Sequence, residues 1–182
     1  MMTEQELADL LDRLVLDVAD FPSPGVLFKD ITPVLDDPTA FGAVVQALAN
    51  AGRDVDGATA VDAVLGMESR GFILAAPVAL ALGAGFVPVR KAGKLPRSTH
   101  AVSFDLEYGQ ATLEIHRDAL APGARVLLVD DVLATGGTAA ATAELVERSG
   151  ATVAGMAVLL ELAGLKGRSA IGSMPFTTLL TC

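Results

Sequence analysis

Cysteine, histidine and aromatic residues are scarce in this sequence of 182 residues. It has one cysteine, Cys182, and two histidines, His100 and His116, and aromatic residues make up 4%. A single cysteine cannot form a disulfide within the chain, and two histidines at this spacing do not match a zinc site. The sequence therefore predicts neither a disulfide framework nor a metal site built from cysteine or histidine.

Basic residues are outnumbered by acidic ones. The chain has 13 Lys and Arg against 22 Asp and Glu, which gives a formal net charge of −9. A protein that binds the nucleic-acid backbone needs a basic face. The composition therefore argues against nucleic acid as a partner, and an anionic ligand would need a local cluster of basic residues.

The chain has few long uncharged runs, and one of them needs to be considered as a membrane span. Residues 71–89 carry no charge over 19 residues, about the length of a membrane span. The run is broken by Pro77, Gly83, Gly85 and Pro88, so it predicts a buried helix, a turn and a buried strand. The start of the chain lacks the basic and apolar regions of a signal peptide. We therefore expect no membrane association and a cytoplasmic location.

Strands and helices alternate along the chain. Thr3 and Glu6 form a capping box for a first amphipathic helix whose apolar positions extend to Val18, and Asp37 with Pro38 opens a second helix that ends near Gly52. The other predicted elements are strands at 60–65, 86–89, 126–129, 153–160 and 176–180, a helix after Gly71 that Pro77 kinks or shortens, a helix from about 139 to 150, and a hairpin over 101–115. This alternation predicts one α/β domain over 1–182, with a right-handed, mainly parallel sheet flanked by helices on both sides.

One stretch, Val126–Thr138, combines a buried strand with chemically useful residues. Four apolar residues lead into Asp130 and Asp131, and the following T-G-G-T sequence opens an Ala-rich helix. Ligands of open α/β sheets bind beyond the carboxyl ends of strands, and N–H groups at a helix N-terminus attract phosphate. Adjacent acids could also cap the helix or pair with arginine. The whole combination, however, predicts an anion-binding loop beside two hydroxyl acceptors.

Residues 66–100 contain five basic residues and a single acid, Glu68. They are Arg70, Arg90, Lys91, Lys94 and Arg97. They adjoin buried strands and glycines, so they could form a positive field that attracts an anion. A solvated charged face is the alternative, and the residues alone leave both interpretations open.

An apolar loop lies near the N-terminus. Residues 21–29, F-P-S-P-G-V-L-F-K, contain two prolines and a glycine and are expected to be irregular, with Val26, Leu27 and Phe28 exposed. The loop could simply pack over the core. Alternatively, Phe28 could offer its ring face to a planar ligand.

Five segments of the chain resemble one known family. The stretch at 126–138 resembles the phosphoribosyl pyrophosphate motif of type I phosphoribosyltransferases. Those at 21–33, 66–72 (G-M-E-S-R-G-F), 89–96 (V-R-K-A-G-K-L-P) and 106–109 (L-E-Y-G) resemble the adenine phosphoribosyltransferase family in the same order. The resemblance spans nearly the whole chain.

The resemblance implies a reaction and an architecture. Members of the family convert adenine and phosphoribosyl pyrophosphate to AMP and pyrophosphate with Mg²⁺, in purine salvage and usually as homodimers. It also implies a Rossmann-like core with a small N-terminal hood, here residues 1–33, and a flexible flap at about 91–117. The metal is expected to be held mainly through substrate and water, since Mg²⁺ retains waters.

The resemblance also implies residue roles. The phosphoribosyl pyrophosphate site would comprise Ser69, Arg70, Arg90, Lys91, Lys94, Asp130, Asp131, Ala134, Thr135, Gly136, Gly137 and Thr138. Of these, the aspartates would hold the ribose hydroxyls, 134–138 the 5′-phosphate, and the residues from Ser69 to Lys94 the pyrophosphate. Adenine would bind at Leu27, Phe28 and Lys29, and the residues acting in catalysis would be Glu107, Lys94 and Arg70. Glu107, on the flap, would handle the proton of the purine ring.

Two alternatives remain open at this point. The protein could use another purine base, since fold and phosphate motif are shared within the family. It could also be a non-catalytic sensor of phosphoribosyl pyrophosphate, although the acidic chain shows no basic DNA-binding module. Residues Ser98–His100 differ from the polar flap sequence of many relatives. This difference bears on the kinetics of the flap and not on which reaction takes place.

Overall fold

The computed structural model describes residues 2–105 and 109–182. Its strands are β1 (Leu16–Ala19), β2 (Leu27–Asp30), β3 (Ala63–Met67), β4 (Gly85–Lys91), β5 (Thr99–Asp105), β6 (Gln110–His116), β7 (Arg125–Leu133), β8 (Thr152–Glu161) and β9 (Phe176–Thr181). Its helices are α1 (Glu4–Leu14), α2 (Thr32–Asp36), α3 (Pro38–Asn50), α4 (Gly71–Leu82), α5 (Gly137–Arg148) and α6 (Arg168–Ile171), with a 3₁₀ turn at Ala163–Leu165. No helix in these two ranges is long and apolar enough to cross a membrane.

Seven strands form one sheet in the order β5-β6-β4-β3-β7-β8-β9. Strands β4, β3, β7, β8 and β9 run parallel to one another, while β5 and β6 form an antiparallel hairpin that pairs antiparallel with β4. The chain leaves β3 toward β4 on one side and leaves β7 toward β8 on the other. The carboxyl ends of β3 and β7 therefore meet at the topological switch point, where open α/β sheets bind ligands.

Helices cover both faces of this sheet, as the alternation predicted. Along β7, Leu127 and Val129 belong to a core shared with α1, α3 and α4. Val126 and Leu128 belong to a second core shared with α5 and the β5–β6 hairpin. Because successive strand residues point to opposite faces, the uninterrupted apolar run of β7 fills both cores. The predicted α/β class, with a mainly parallel sheet flanked by helices, is confirmed.

The N-terminal segment departs from the predicted pattern. The capping box forms as expected, with the Glu6 N–H donating to Thr3 Oγ1 at 3.2 Å. Helix α1 nevertheless ends at Leu14, and Leu16–Ala19 pairs antiparallel with Leu27–Asp30. The expectation that 21–29 is irregular was therefore wrong for its last three residues, 27–29. The prolines and Gly25 form the turn of a two-stranded hairpin, and four residues are too few for a recognisable strand period.

Other elements match the predictions with small changes in their bounds. Pro77 lies inside α4, which continues to Leu82 and is not shortened there. Asp37 caps α3 as predicted, with its Oδ1 accepting from the Thr39 and Ala40 N–H groups at 2.8 and 2.9 Å. The short helices α2 and α6 and the 3₁₀ turn were not predicted, because elements of three to five residues show no helical period.

Candidate active site

A cavity of about 330 Å³ opens at the switch point between β3 and β7. Its walls come from residues 68–70 after β3, Lys91 at the end of β4, residues 130–139 around the end of β7, and Met156 on β8. The two segments that resembled substrate loops, 66–72 and 126–138, begin 60 residues apart in the chain. The parallel pairing of Gly66 with Val129 brings them together.

The loop after β7 forms one wall of the cavity. Gly136 adopts a positive φ of 85° and precedes the first residue of α5. The first N–H groups of a helix have no acceptor within it, so they face outward as donors, with the positive end of the helix dipole behind them. With the hydroxyls of Thr135 and Thr138, the loop presents a set of donors suited to a phosphate. The anion-binding loop expected from the sequence thus has the required local geometry.

Asp130 and Asp131 lie in the cavity wall but have different surroundings. Burial, and then the charge of Asp131, raise the pKa of Asp130 well above its usual value. Its Oδ1 accepts the Asp131 N–H at 2.9 Å. Asp131 is buried, and its Oδ2 lies 2.7 Å from Nε of Arg70. The pair therefore combines a carboxyl that favours its proton with a carboxylate bound to arginine.

Arg70 links this pair to the N-terminal hairpin. It lies just before α4, with its side chain 39% exposed. Its guanidinium carbon is 5.0 Å from the centroid of the Phe28 ring, within the range of a cation–π contact. Phe21 packs edge-on against the same ring at 5.1 Å. The cavity and the apolar hairpin are thus joined through a single side chain.

The other two residues expected at the base site surround Phe28 on β2. Leu27 is 52% exposed. Nζ of Lys29 lies 2.6 Å from Oδ1 of Asp17 across the β1–β2 pair, and this contact raises the pKa of Lys29. The hairpin therefore offers an exposed apolar edge beside a partly exposed aromatic ring.

The positive field expected from five basic residues is largely compensated. Arg70 pairs with Asp131, Arg90 with Glu68 at 3.0 Å, and Arg97 with Asp118. Of the five, Arg70 and Lys91 line the cavity, whereas Arg90 stacks over Phe72 at 5.7 Å and Lys94 is exposed on the loop before β5. Neither Arg90 nor Lys94 is among the residues that line the cavity, and their roles stay predictions.

Sequence reasoning gave Glu68 no role, yet it organises the loop after β3. Its Oε2 accepts the Lys91 N–H at 2.8 Å and Nε of Arg90 at 3.0 Å. The Lys91 bond, followed by Arg90, lowers the pKa of Glu68. A single acid among five basic residues was the available signal, because such an acid is expected to form an ion pair.

Phe104 is a second neighbour of the site that the sequence did not identify. It lies on β5, and a Cβ placed on Gly137 would come within 3.0 Å of its ring. The base of the predicted flap therefore packs against the start of α5. Glu107, the predicted flap carboxylate, lies outside the described residues.

Comparison with known proteins agrees with this arrangement. The family described as "Phosphoribosyl transferase domain" matches residues 32–172. An adenine phosphoribosyltransferase from Nocardioides sp. is 70% identical over 168 residues, covering 92% of this chain and 91% of that protein. One from Thermobifida fusca is 55% identical, covering 97% of this chain and 98% of its own length.

Solved structures give the same result. Adenine phosphoribosyltransferase from Rhodothermus marinus has a TM-score of 0.90 at 49% identity, covering 98% of this chain and 99% of that chain. The Saccharomyces cerevisiae enzyme, in complex with an imino-altritol bisphosphate and adenine, has a TM-score of 0.91 at 40% identity, covering 97% and 99%. The chain belongs to the phosphoribosyl transferase family and, within it, to the adenine phosphoribosyltransferases.

Proposed function

We propose that the protein transfers the 5-phosphoribosyl group of phosphoribosyl pyrophosphate to adenine, which yields AMP and pyrophosphate in purine salvage. The observation that carries this proposal is the cavity at the switch point. It combines the 134–138 loop, the Asp130–Asp131 pair and Arg70, whose guanidinium also contacts Phe28. Adenine phosphoribosyltransferases that align with this chain over most of their length, and that share its fold, support the proposal.

In this reaction the loop would hold the 5′-phosphate. Its N–H and hydroxyl donors suit three phosphate oxygens, and fixing the phosphate fixes the ribose relative to the two aspartates. The carboxyl groups of Asp130 and Asp131 would accept hydrogen bonds from the ribose hydroxyls. Because Arg70 is bound to Asp131, it would change partner or share its donors when ribose and pyrophosphate enter.

The bond between the anomeric carbon and pyrophosphate breaks, and the bond to the purine nitrogen forms. That nitrogen loses its proton, which Glu107 would accept. Ser69, Arg70 and Lys91 lie in the wall beside the aspartates, where they could stabilise negative charge on the leaving pyrophosphate. Adenine would stack on Phe28 between the hairpin and the cavity mouth. Closure of the flap over both substrates would exclude water, which would otherwise attack the activated ribose.

Mg²⁺ is the metal that we propose for the reaction. Among the described residues there is no cluster of three or more metal-binding side chains, and the carboxyls of the cavity wall are the adjacent pair Asp130 and Asp131 and the more distant Glu68. This donor set fits a hydrated ion held mainly by pyrophosphate and ribose oxygens, with Asp131 as the protein carboxylate nearby. Mg²⁺ would neutralise charge on the leaving group.

The test is to incubate the purified protein with phosphoribosyl pyrophosphate, Mg²⁺ and one base at a time, and to identify products by mass spectrometry. We expect AMP from adenine, and far less product from guanine, hypoxanthine or xanthine. Reactions without phosphoribosyl pyrophosphate are the control. Absence of AMP would contradict the proposal, and a preference for another base would favour the alternative substrate class.

We also propose that the chain acts as one domain, with residues 1–33 as the hood and about 91–117 as the flap, and that it forms a homodimer. Light scattering after size-exclusion chromatography would measure the mass of the assembly, and a monomer would contradict the second part. The cytoplasmic location stays a prediction.

A further inference from the structure

An ion pair between a buried carboxylate and an arginine whose side chain is 59% exposed lies behind the 134–138 loop, outside the cavity. Glu161, the last residue of β8, is 5% exposed, and Arg168 is the first residue of α6. Nε of Arg168 donates to Oε1 of Glu161 and a terminal nitrogen donates to Oε2, both at 2.6 Å. Arg168 lowers the pKa of Glu161, so this carboxyl is ionised at neutral pH. Two parallel bonds fix the orientation of both side chains.

The same arginine is held from a second direction. Its guanidinium carbon lies 4.7 Å from the centroid of Phe176 at the start of β9. The side chain is thus fixed by neighbouring parallel strands of the sheet. A short helix of four residues has little stability of its own, so these contacts determine where the beginning of α6 lies.

The residue before Arg168 packs directly against the loop. A Cβ on Gly167 would collide with the Ala134 carbonyl oxygen and lie 2.9 Å from Cγ of Leu133. In return, a Cβ on Gly136 would lie 2.6 Å from the Gly167 carbonyl oxygen and 2.7 Å from Cβ of Ala170. Backbone meets backbone here with no room for a side chain, so a shift of 167–170 must displace the loop.

None of the three side chains that fix this segment, Glu161, Arg168 and Phe176, lines the cavity. Any influence that they have on substrate must therefore be indirect, and the contact of Gly167 with residues 134–136 is one route for it. The 134–138 loop is not fixed by a capping side chain. The N-cap residue of α5 is Gly136, which makes no side-chain hydrogen bond.

We propose that the Glu161–Arg168 ion pair is a positioning pair, which holds Gly167 against the 134–138 loop and thereby sets the affinity for a 5′-phosphate. The inference rests on the proposed function, which assigns that phosphate to this loop. It predicts an effect confined to the ribose-phosphate end of the substrate. The pyrophosphate and base ends are bound by other segments.

The experiment compares Arg168→Gln, Arg168→Lys and the double variant Glu161→Gln with Arg168→Gln. For Arg168→Gln we expect KM for phosphoribosyl pyrophosphate to rise roughly tenfold, which corresponds to ~1.4 kcal/mol of binding free energy. The KM for adenine and kcat should stay within about twofold. Arg168→Lys keeps the charge but loses the paired bonds, so it should restore KM only in part.

The double variant separates positioning from stability. Arg168→Gln leaves a buried carboxylate without its partner and should lower the melting temperature. Adding Glu161→Gln removes that charge, so the melting temperature should recover while KM for phosphoribosyl pyrophosphate stays raised. A pair that serves stability alone would instead give a KM that follows the melting temperature, and that result would overturn the proposal.

Glu144→Gln is the matched control. Glu144 forms an ion pair of the same length, 2.6 Å, with Arg148 at the far end of α5. Its replacement leaves the bond from Arg148 to the Ala101 carbonyl oxygen in place and should leave both KM values unchanged.

Calorimetric titration of each variant with ribose 5-phosphate and with pyrophosphate decides the inference even if the wild-type protein makes no AMP. We expect Arg168→Gln to weaken ribose 5-phosphate binding roughly tenfold and to leave pyrophosphate binding unchanged. Equal losses for the two ligands, no loss for ribose 5-phosphate, or no binding of it by the wild-type protein would refute the inference. Absence of AMP with these ligand responses intact would refute only the proposed function.

Discussion

The two halves of the candidate site are built in different ways. The phosphate half, residues 130–138, lies at the end of a central strand, and Asp131 and Gly136 within it are buried. The base half, Leu27–Lys29, belongs to a separate two-stranded sheet whose first strand, β1, is exposed along its whole length. The phosphate half is held by two hydrophobic cores, whereas the base half relies on a few contacts at the surface.

This difference has an energetic consequence. Packing on several sides restricts the phosphate half, so small changes there should misplace charged groups and reduce the rate strongly. The base half touches the phosphate half through Arg70 and Phe28. A change in this half should affect one substrate and leave the rest of the site in place.

The largest expected effect comes from replacing both cavity aspartates. Asp130→Asn together with Asp131→Asn should lower kcat by at least about tenfold, or ~1.4 kcal/mol of activation free energy. Each carboxyl exchanges one acceptor oxygen for an N–H donor, and Arg70 loses its ionic partner. Steady-state kinetics with adenine would measure this, with circular dichroism as the folding control. Near-normal turnover would reject the ribose assignment and remove the contrast between the halves.

The phosphate half was predictable because one continuous stretch carries it. An apolar strand, two acids and a T-G-G-T turn are all visible between 126 and 138, and the structure keeps them together. The proximity of residues 66–72 to this stretch requires only that the two parallel strands β3 and β7 end at the same edge of the sheet.

Other contacts could not be predicted, because they depend on side chains that meet across unrelated segments. Nothing in the sequence pairs Arg70 with both Asp131 and Phe28, and charge counting suggested a stronger positive field than the ion pairs leave. The contact between Gly136 and Gly167 is equally invisible, since α6 is too short to show a period.

The second prediction tests how tightly the phosphate half is packed. In Gly136→Ala the new Cβ would lie 2.6 Å from the Gly167 carbonyl oxygen, so the loop must move. We expect KM for phosphoribosyl pyrophosphate to rise roughly fivefold, which corresponds to ~1 kcal/mol. Gly123→Ala is the matched control, because Gly123 has a similar φ of 80° with no atom near the Cβ position. Equal KM values in the two variants would show that backbone strain, and not packing, matters.

The third prediction concerns the base half. Phe28→Ala removes the ring that faces Arg70, and we expect KM for adenine to rise about threefold, in line with ~0.6 kcal/mol for a surface aromatic contact. The KM for phosphoribosyl pyrophosphate should change less. Phe28→Tyr keeps the ring face and should behave like the wild type. An unchanged KM for adenine in Phe28→Ala would assign Phe28 to hairpin packing with Phe21.

The smallest expected effect is a pH dependence of stability that originates in the phosphate half. Burial and the charge of Asp131 raise the pKa of Asp130 in the folded protein above its ordinary value of 3.8. The folded state then binds more protons than the unfolded state between the two pKa values, so this group lowers the free energy of unfolding as pH rises. Asp130→Asn removes the titration and still offers an oxygen to the Asp131 N–H.

The difference in melting temperature between Asp130→Asn and the wild type should therefore become more positive as pH rises from about 4 toward neutrality. Taking a difference cancels the opposite contributions of carboxyls with lowered pKa, such as Glu68 and Glu161. Asp12→Asn, at an exposed position of α1, is the control for the loss of one surface carboxylate. A flat difference for Asp130→Asn would mean that burial and the charge of Asp131 do not raise the pKa of Asp130 in the folded protein.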